Sequence, residues 1–229
     1  MIDKIFDYEN KKGLAFQFRK KRAEEIKKII KNIRINKDKD EVTVIDMGGT
    51  DIFWKAVGYD FLKEHNVKIT LVNLDDYKTE NQDIFKCVKG DACALNFQNN
   101  DFDFSFSNSV IEHVGDYNKM VDFAKEMKRV GKIFYCQTPN YWFPIEPHFF
   151  FPFFQFLPDP IKILLIKNFS LGHFPKAKNE IDAIKIMQDA KLLTKSMLLA
   201  FFEEGYIKKE KFMFLTKSLM ISNAFEKIN

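Results

Sequence analysis

Short apolar runs rich in Val, Ile and Phe alternate along this chain with longer stretches in which apolar residues recur every three or four positions. The runs have the pattern of strands buried on both faces, and the longer stretches that of helices with one apolar stripe. Strands are predicted at Val42–Asp46, Val67–Asn73, Phe85–Lys89, Phe102–Ser107 and Lys132–Gln137. A helix is predicted over Gly13–Ile35, with Phe16, Ala23, Ile26, Ile29, Ile30 and Ile33 as its stripe. Others are predicted over Asp51–Lys63 and over Asp116–Val130, where Val121, Ala124 and Met127 or Lys128 fall at helical spacing. Asn36–Glu41 is a charged connector, Asn66 closes the second helix, and Gly131 reads as the stop of the third.

The alternation breaks at Thr138. Residues 138–178 lack a clean period and hold all seven prolines of the chain, with Trp142 and a run of phenylalanines from Phe149 to Phe154. A long insertion after a strand of an α/β sheet lies where such folds bind ligands, so it is read as a substrate cover. Helices are expected again at Asn179–Lys191 and Thr194–Phe202, followed by two antiparallel strands, Gly205–Phe212 and Phe214–Ser222. The prediction is an α/β fold, a mostly parallel sheet with helices on both faces and an antiparallel C-terminal hairpin, seven strands in all. At 229 residues one domain spanning 1–229 is expected, with an N-terminal helix over about 13–36 and the inserted cover over about 138–178.

Composition adds exclusions. Lys and Arg total 36 against 32 Asp and Glu, and a net charge of +4 is too mild to argue for nucleic acid. The basic residues Arg19, Lys20, Lys21, Arg22, Lys27, Lys28, Lys31 and Arg34 gather early, as a solvated helix face or as a surface for an anionic partner. Three cysteines, Cys87, Cys93 and Cys136, are too few and too scattered for a disulfide framework or a zinc site, and no metal is expected. Met1–Phe6 has no apolar core of signal-peptide length, and no run is long enough to span a bilayer, so the expected setting is cytoplasmic. The 26 phenylalanines fit a general compositional bias; only the cluster near Phe149 calls for a local reason. It either fills a core under the loop or forms an apolar patch for a membrane surface, a lipid-linked substrate or a second subunit.

Candidate chemistry follows the strand ends. Val42–Asp46 runs into Met47-Gly48-Gly49-Thr50, a turn whose glycines allow close backbone approach to a ligand, with a helix N-terminus beyond it. A dinucleotide site would require Gly-x-Gly-x-x-Gly, which this turn does not supply. Asn73 ends the second strand, Gly90-Asp91-Ala92 follows the third, and the fourth leads through Phe102-Asp103-Phe104-Ser105-Phe106-Ser107-Asn108-Ser109-Val110 to Ile111-Glu112-His113-Val114. Alone, Glu112-His113 reads as a capping or surface pair. In this order, from Val42 to Pro144, the motifs resemble those of the class I methyltransferases that use S-adenosylmethionine, in particular the type 11-like group. The likeness returns more weakly at Leu215–Leu219, like that group's last strand.

The resemblance implies a Rossmann-like fold and S-adenosyl-L-methionine as cofactor. It implies that Asp46, Gly48 and Gly49 cradle the methionine end, although the turn is poorer in glycine than the family's and leaves Thr50 and Asp51 without a fixed role. Asn73 stands where the family has an acid on the ribose, with Asp75 two residues on as a substitute. Asp91 and Ala92 match the adenine contact, and Ser107 and Asn108 end the strand beside the sulfonium. The stretch Thr138-Pro139-Asn140-Tyr141-Trp142-Phe143-Pro144-Ile145-Glu146-Pro147-His148 resembles the acceptor-facing segment, which makes Tyr141, Trp142 and Glu146 substrate candidates. His113 and His148 are the catalytic candidates, each open between taking a proton and a structural or orienting role. The function implied is O- or N-methylation of a small molecule or a sugar destined for a glycan. The alternatives are a non-catalytic protein that keeps the fold, suggested by the sparse glycines and by Asn73, and an NAD-dependent enzyme.

Overall fold

The computed structural model describes residues 13–36 and 40–225. The reading of Met1–Phe6 and the middle of the Asn36–Glu41 connector lie outside the described residues. A seven-stranded sheet runs in the order β3-β2-β1-β4-β5-β9-β8. Its strands are β1 (Val42–Met47), β2 (Val67–Asn73), β3 (Phe85–Lys89), β4 (Phe102–Asn108), β5 (Gly131–Pro139), β8 (Tyr206–Phe212) and β9 (Leu215–Ser222). β6 (Ile145–Glu146) and β7 (Phe151–Pro152) form a separate two-stranded ribbon. Among the described residues no helix is long and apolar enough to cross a membrane.

The chain divides into two compact units, and the first comprises the residues up to 107 together with 126–134. There β1 lies parallel between β2 and β4, and β2 is parallel to β3, as their apolar runs predict. Helix α1 (Leu14–Ile35) buries Ala23, Ile26, Ile29, Ile30 and Ile33 as expected, but Phe18, not Phe16, is its buried aromatic. Its basic face is engaged locally: Lys27 pairs with Glu24, Lys28 with Glu25 and Arg34 with Asp40. The single helix expected over Asp51–Lys63 is two, α2 (Asp51–Val57) and α3 (Tyr59–Glu64), broken at Gly58, whose φ of 96° no other residue type adopts readily.

β4 alternates Phe102, Phe104 and Phe106 with Asp103, Ser105 and Ser107, yet all six are buried. Each polar side chain has a partner. Asp103 Oδ2 accepts from Thr43 N and Oγ1 at 2.9 Å, Ser105 Oγ donates to Met127 O at 2.8 Å, and Ser107 Oγ donates to Met47 O at 3.2 Å. Small, satisfied side chains let backbone come close. Gly131 lies so near Ser105 that a Cβ there would stand 2.5 Å from Oγ and 2.7 Å from the backbone N. The preceding helix ends at Val130, as expected, and Gly131 is at once the residue after it and the first residue of β5.

The second unit comprises 108–125 and the residues from 135 onward. Helix α4 (Tyr117–Val130) begins in it, and its buried stripe is Met120, Phe123, Ala124, Met127 and Val130, so Met127 rather than Lys128 faces the core and Val121 is only half-buried. β5 pairs antiparallel with β9, and β9 with β8, with Phe214 left exposed in the turn rather than starting a strand. Helices α6 (Glu180–Gln188) and α7 (Lys195–Phe201) start one residue later than expected because Asn179 and Thr194 are their caps, accepting from Asp182 N and Met197 N, and they also end earlier, at Gln188 and Phe201.

The inserted cover contains a helix that its sequence hid, α5 (Asp159–Asn168), with Pro160 in the first turn where its missing N–H costs nothing. The phenylalanines divide between both readings. Phe149 and Phe154 stack at 4.1 Å within a core with Ile166, Ala177 and Ala183, whereas Phe153 and Phe156 are exposed.

Gly131→Ala should cost about 1–3 kcal/mol through overpacking. The check is the urea midpoint, which should fall at unchanged slope; an unaltered midpoint would show that β4 and β5 have slack at Ser105.

Candidate functional site

In the first unit, β1 delivers Asp46 to its carboxyl end with no exposed surface. Trp54 Nε1, at the end of the first turn of α2, donates to Asp46 Oδ2 at 2.8 Å, while Oδ1 is buried with no hydrogen-bond partner. Burial pushes this carboxyl up to about 7, against the opposing effect of the Trp54 bond and the Gly49 amide. Gly48 turns the chain with φ 82° and donates its N–H to Val72 O at 2.8 Å. Gly49 is required for another reason: any Cβ built there would fall on the Asp46 carboxylate.

The two residues without a role in the family pattern acquire one. Thr50 caps α2, its Oγ1 accepting from Ile52 N at 3.4 Å. Asp51 is buried and gathers three hydroxyls, from Tyr77 at 2.7 Å, Thr79 at 3.2 Å and Tyr59 at 3.4 Å. Burial and the neighbouring Asp51 push the Tyr59 phenol up to about 12.

Hydrogen bonds draw the strand ends together. Asn73 Nδ2 donates to Gly49 O at 2.9 Å, and Gly90 N donates to Asn73 O at 2.9 Å. Asp91 follows in a tight turn, its Oδ1 accepting from Cys93 N at 2.8 Å, with Ala92 half-buried beside it. Thus Asp46, Gly48, Gly49, Asn73 and the Gly90–Ala92 turn gather at the carboxyl ends of β1, β2 and β3, and Ser107 joins through Met47 O. Asp75 is exposed in the loop beyond β2. Asn108 is the last residue of β4.

The second unit assembles the other candidates. Ser109, with φ 57°, is locked to β5 by its N–H on Gln137 O and its Oγ on Gln137 Oε1, both at 2.9 Å. The short helix Ile111–His113 that follows buries Glu112 completely, which overturns the capping or surface reading. Glu112 Oε2 accepts from Thr138 Oγ1 at 3.0 Å, Oε1 has no partner, and burial raises its pKa. His113 meets His148, their Nε2 atoms 3.1 Å apart. His113 Nδ1 lies 3.1 Å from Asp189 O, and His148 Nδ1 lies 2.7 Å from Glu146 Oε1. Burial works against the charged form of His148, but Glu146, Glu112 and Asp189 outweigh it and raise its pKa.

Glu146 is buried and also accepts from the amides of His148 and Phe149 at 2.7 Å, so it fixes the bend that presents His148. Beside it opens a cavity of about 440 Å³ lined by Tyr141, Glu146, Phe149, Gln155, Lys162 and Lys191 among others. Tyr141 and Glu146 are thus brought together. Trp142 is two-thirds exposed and stacks near Phe156, at 5.8 Å, instead of lining that cavity. Sequence reasoning missed Trp54, Asp189 and the two lysines. Only Trp54 carried a signal, as a lone indole donor shortly after a strand-end acid.

Residues 48–133 match the family described as a methyltransferase domain. A 53-residue stretch is 42% identical to an uncharacterized protein of Mycobacterium tuberculosis strain H37Rv; it covers 23% of this chain and 18% of that protein, so the match spans less than a fifth of the curated relative. A SAM-dependent methyltransferase from Methanosarcina mazei superimposes with TM-score 0.51 at 14% identity, over 85% of this chain and 95% of that one. The carbon methyltransferase CurJ superimposes with TM-score 0.53 at 9% identity, over 87% of this chain and 53% of that one. At these identities the likeness is one of fold.

Because the folded chain holds Asp46 near pH 7 and an unfolded chain near 3.8, folding disfavours its ionised form. The resulting penalty is absent at low pH and grows as pH rises from about 4 to about 7, to at most about 4 kcal/mol. Asp46→Asn keeps an acceptor for Trp54 and removes the penalty. Its stability relative to the parent should therefore climb across that window and level off above it. A difference independent of pH would contradict the burial argument.

Proposed function

We propose that the chain is a class I methyltransferase that uses S-adenosylmethionine and transfers the methyl group of that cofactor to oxygen or nitrogen of a small polar or sugar acceptor, a reading supported by the domain match over residues 48–133 and by the strand order of the sheet. The observation that carries this reading is the convergence of Asp46, Gly48, Gly49, Asn73 and Asp91 at the carboxyl ends of three parallel strands. In this reading the unpartnered Asp46 Oδ1 and the Gly48–Thr50 turn receive the charged methionine end. Asp91 and Ala92 take the adenine, Asn73 and Asp75 serve the ribose, and Ser107 and Asn108 border the sulfonium.

The acceptor is read from the second unit's cavity. Tyr141 gives an aromatic wall, Lys162 and Lys191 give hydrogen-bond donors, and Gln155, its amide nitrogen already donating to Tyr141 O and Phe143 O, gives an acceptor in Oε1, a lining suited to a hydroxyl-rich molecule. Trp142, with Phe153 and Phe156, offers exposed apolar surface to a larger acceptor, a membrane surface or a subunit. His113 and His148 serve the acceptor side as orienting groups. Methyl transfer gains most from alignment of the two reacting centres, so a site with few ionising groups suffices. One domain, the 138–178 cover included, and a cytoplasmic setting complete the proposal.

A second reading, a non-catalytic protein of the same fold, draws on Asn73, whose amide is spent on Gly49 O. Calorimetry with S-adenosylhomocysteine separates the two. The enzyme reading expects one site per chain, with Asp91→Ala weakening it about 10- to 100-fold, the worth of one or two charge-assisted hydrogen bonds. Absence of binding to folded protein would favour the second reading, and normal binding by the variant would remove Asp91 from the site.

A further inference from the structure

The cluster of Glu112, His113 and His148 has more acceptors than donors. His113 Nδ1 faces a backbone carbonyl, Asp189 O, at 3.1 Å and that residue's carboxylate at 3.3 Å, so this nitrogen carries the proton. His148 Nδ1 faces Glu146 Oε1 at 2.7 Å, so it too is the protonated nitrogen. In each neutral ring the remaining nitrogen, Nε2, is then a bare lone pair. The two Nε2 atoms stand 3.1 Å apart. Glu112 adds a third acceptor, because its Oε1 is fully buried and has no hydrogen-bond partner. One carboxylate oxygen of Glu112 and a ring nitrogen of each histidine lie within 4.8 Å of one another.

We propose that Glu112, His113 and His148 bind a divalent transition-metal ion of the zinc class. Three features favour a metal over a shared proton. Two imidazoles and a carboxylate are a donor set suited to such an ion. Two nitrogens each about 2.0–2.1 Å from one ion would stand roughly 3.3 Å apart, close to the separation present, and the carboxylate needs to draw in by at most roughly 1.5 Å. Each histidine also has its other nitrogen held by an oxygen acceptor, Glu146 for His148 and Asp189 for His113, which is the outer support that fixes ring orientation in metal sites. A proton between the rings would satisfy two lone pairs and leave Glu112 Oε1 unpaired, whereas a metal satisfies all three. The site has three protein ligands, which leaves a coordination position open to water or another oxygen ligand. The donor set is the same whatever the methyl acceptor is.

The test uses the full chain stripped with a chelator, titrated with Zn²⁺ by calorimetry and with Co²⁺ by visible absorbance. One ion per chain is expected, with Co²⁺ bands of the intensity given by four- or five-coordinate sites and no response to Mg²⁺. Affinity should fall as pH drops and protons compete for the nitrogens. His113→Ala, whose side chain is one-third exposed, should weaken binding at least 100-fold without loss of fold. Glu146→Gln, which touches the ion only through His148, should weaken it about 10- to 100-fold. No binding by the folded chain would overturn the proposal in favour of the shared proton. Binding that survives His113→Ala combined with His148→Ala would also overturn it. S-adenosylhomocysteine binding measured on the same samples keeps a failure of this site distinct from a failure of the methyltransferase reading.

Discussion

At the end of β1 a fully buried carboxylate stands where the chain, three residues later, passes too close for any side chain. The contact between Asp46 and Gly49 is the constraint on which the first unit's functional edge depends. It fixes the turn, and Trp54 on α2 bonds to the same carboxylate, so the helix is anchored to the acid that precedes it. From Gly49 the order spreads sideways, through its carbonyl to Asn73 and through the carbonyl of Asn73 to Gly90. Three strand ends are thereby held in one register by backbone and amide bonds, with one carboxylate oxygen left over. Burying a carboxyl this way costs stability at neutral pH, and a fold retains such a group where a ligand repays it.

The second unit repeats the logic with different groups. Glu112 is buried, half-satisfied by Thr138 and aimed among two histidines whose outer nitrogens are already committed. Glu146 both holds His148 and forms part of the wall of the 440 Å³ cavity, so the group that sets a ring's orientation also bounds the proposed acceptor space. Each unit thus carries a buried acid with one free oxygen, and each acid lies in a segment fixed by hydrogen bonds.

How much of this was legible in the sequence depended on whether the information was local. β1 to β4 were readable because a parallel strand buried on both faces is a continuous apolar run, and the glycine turn, Asn73 and Asp91 were readable because they end such runs. α5 was hidden by the prolines that begin it. The break at Gly58 was hidden because a glycine inside an apolar stripe gives no sign of its φ. The need for glycine at 131 comes from its close approach to Ser105, 26 residues away, which no local pattern encodes. The roles of Thr50 and Asp51 emerged only when Tyr59, Tyr77 and Thr79 were seen around the carboxylate. Likewise Glu112 looks like a surface acid in sequence, and only the burial of its segment reveals an unpaired oxygen.

The strand-end constellation around Asp46 is the proposed cofactor site, and everything assigned to the first unit depends on it. The most direct measurement is a crystal structure of the chain grown with S-adenosylhomocysteine. The predicted result is one ordered molecule with its amino-acid end against the Gly48–Thr50 turn and Asp46, and its adenine against Asp91 and Ala92. Density for the molecule elsewhere, with Asp46 Oδ1 still unpartnered and the turn unchanged, would contradict it.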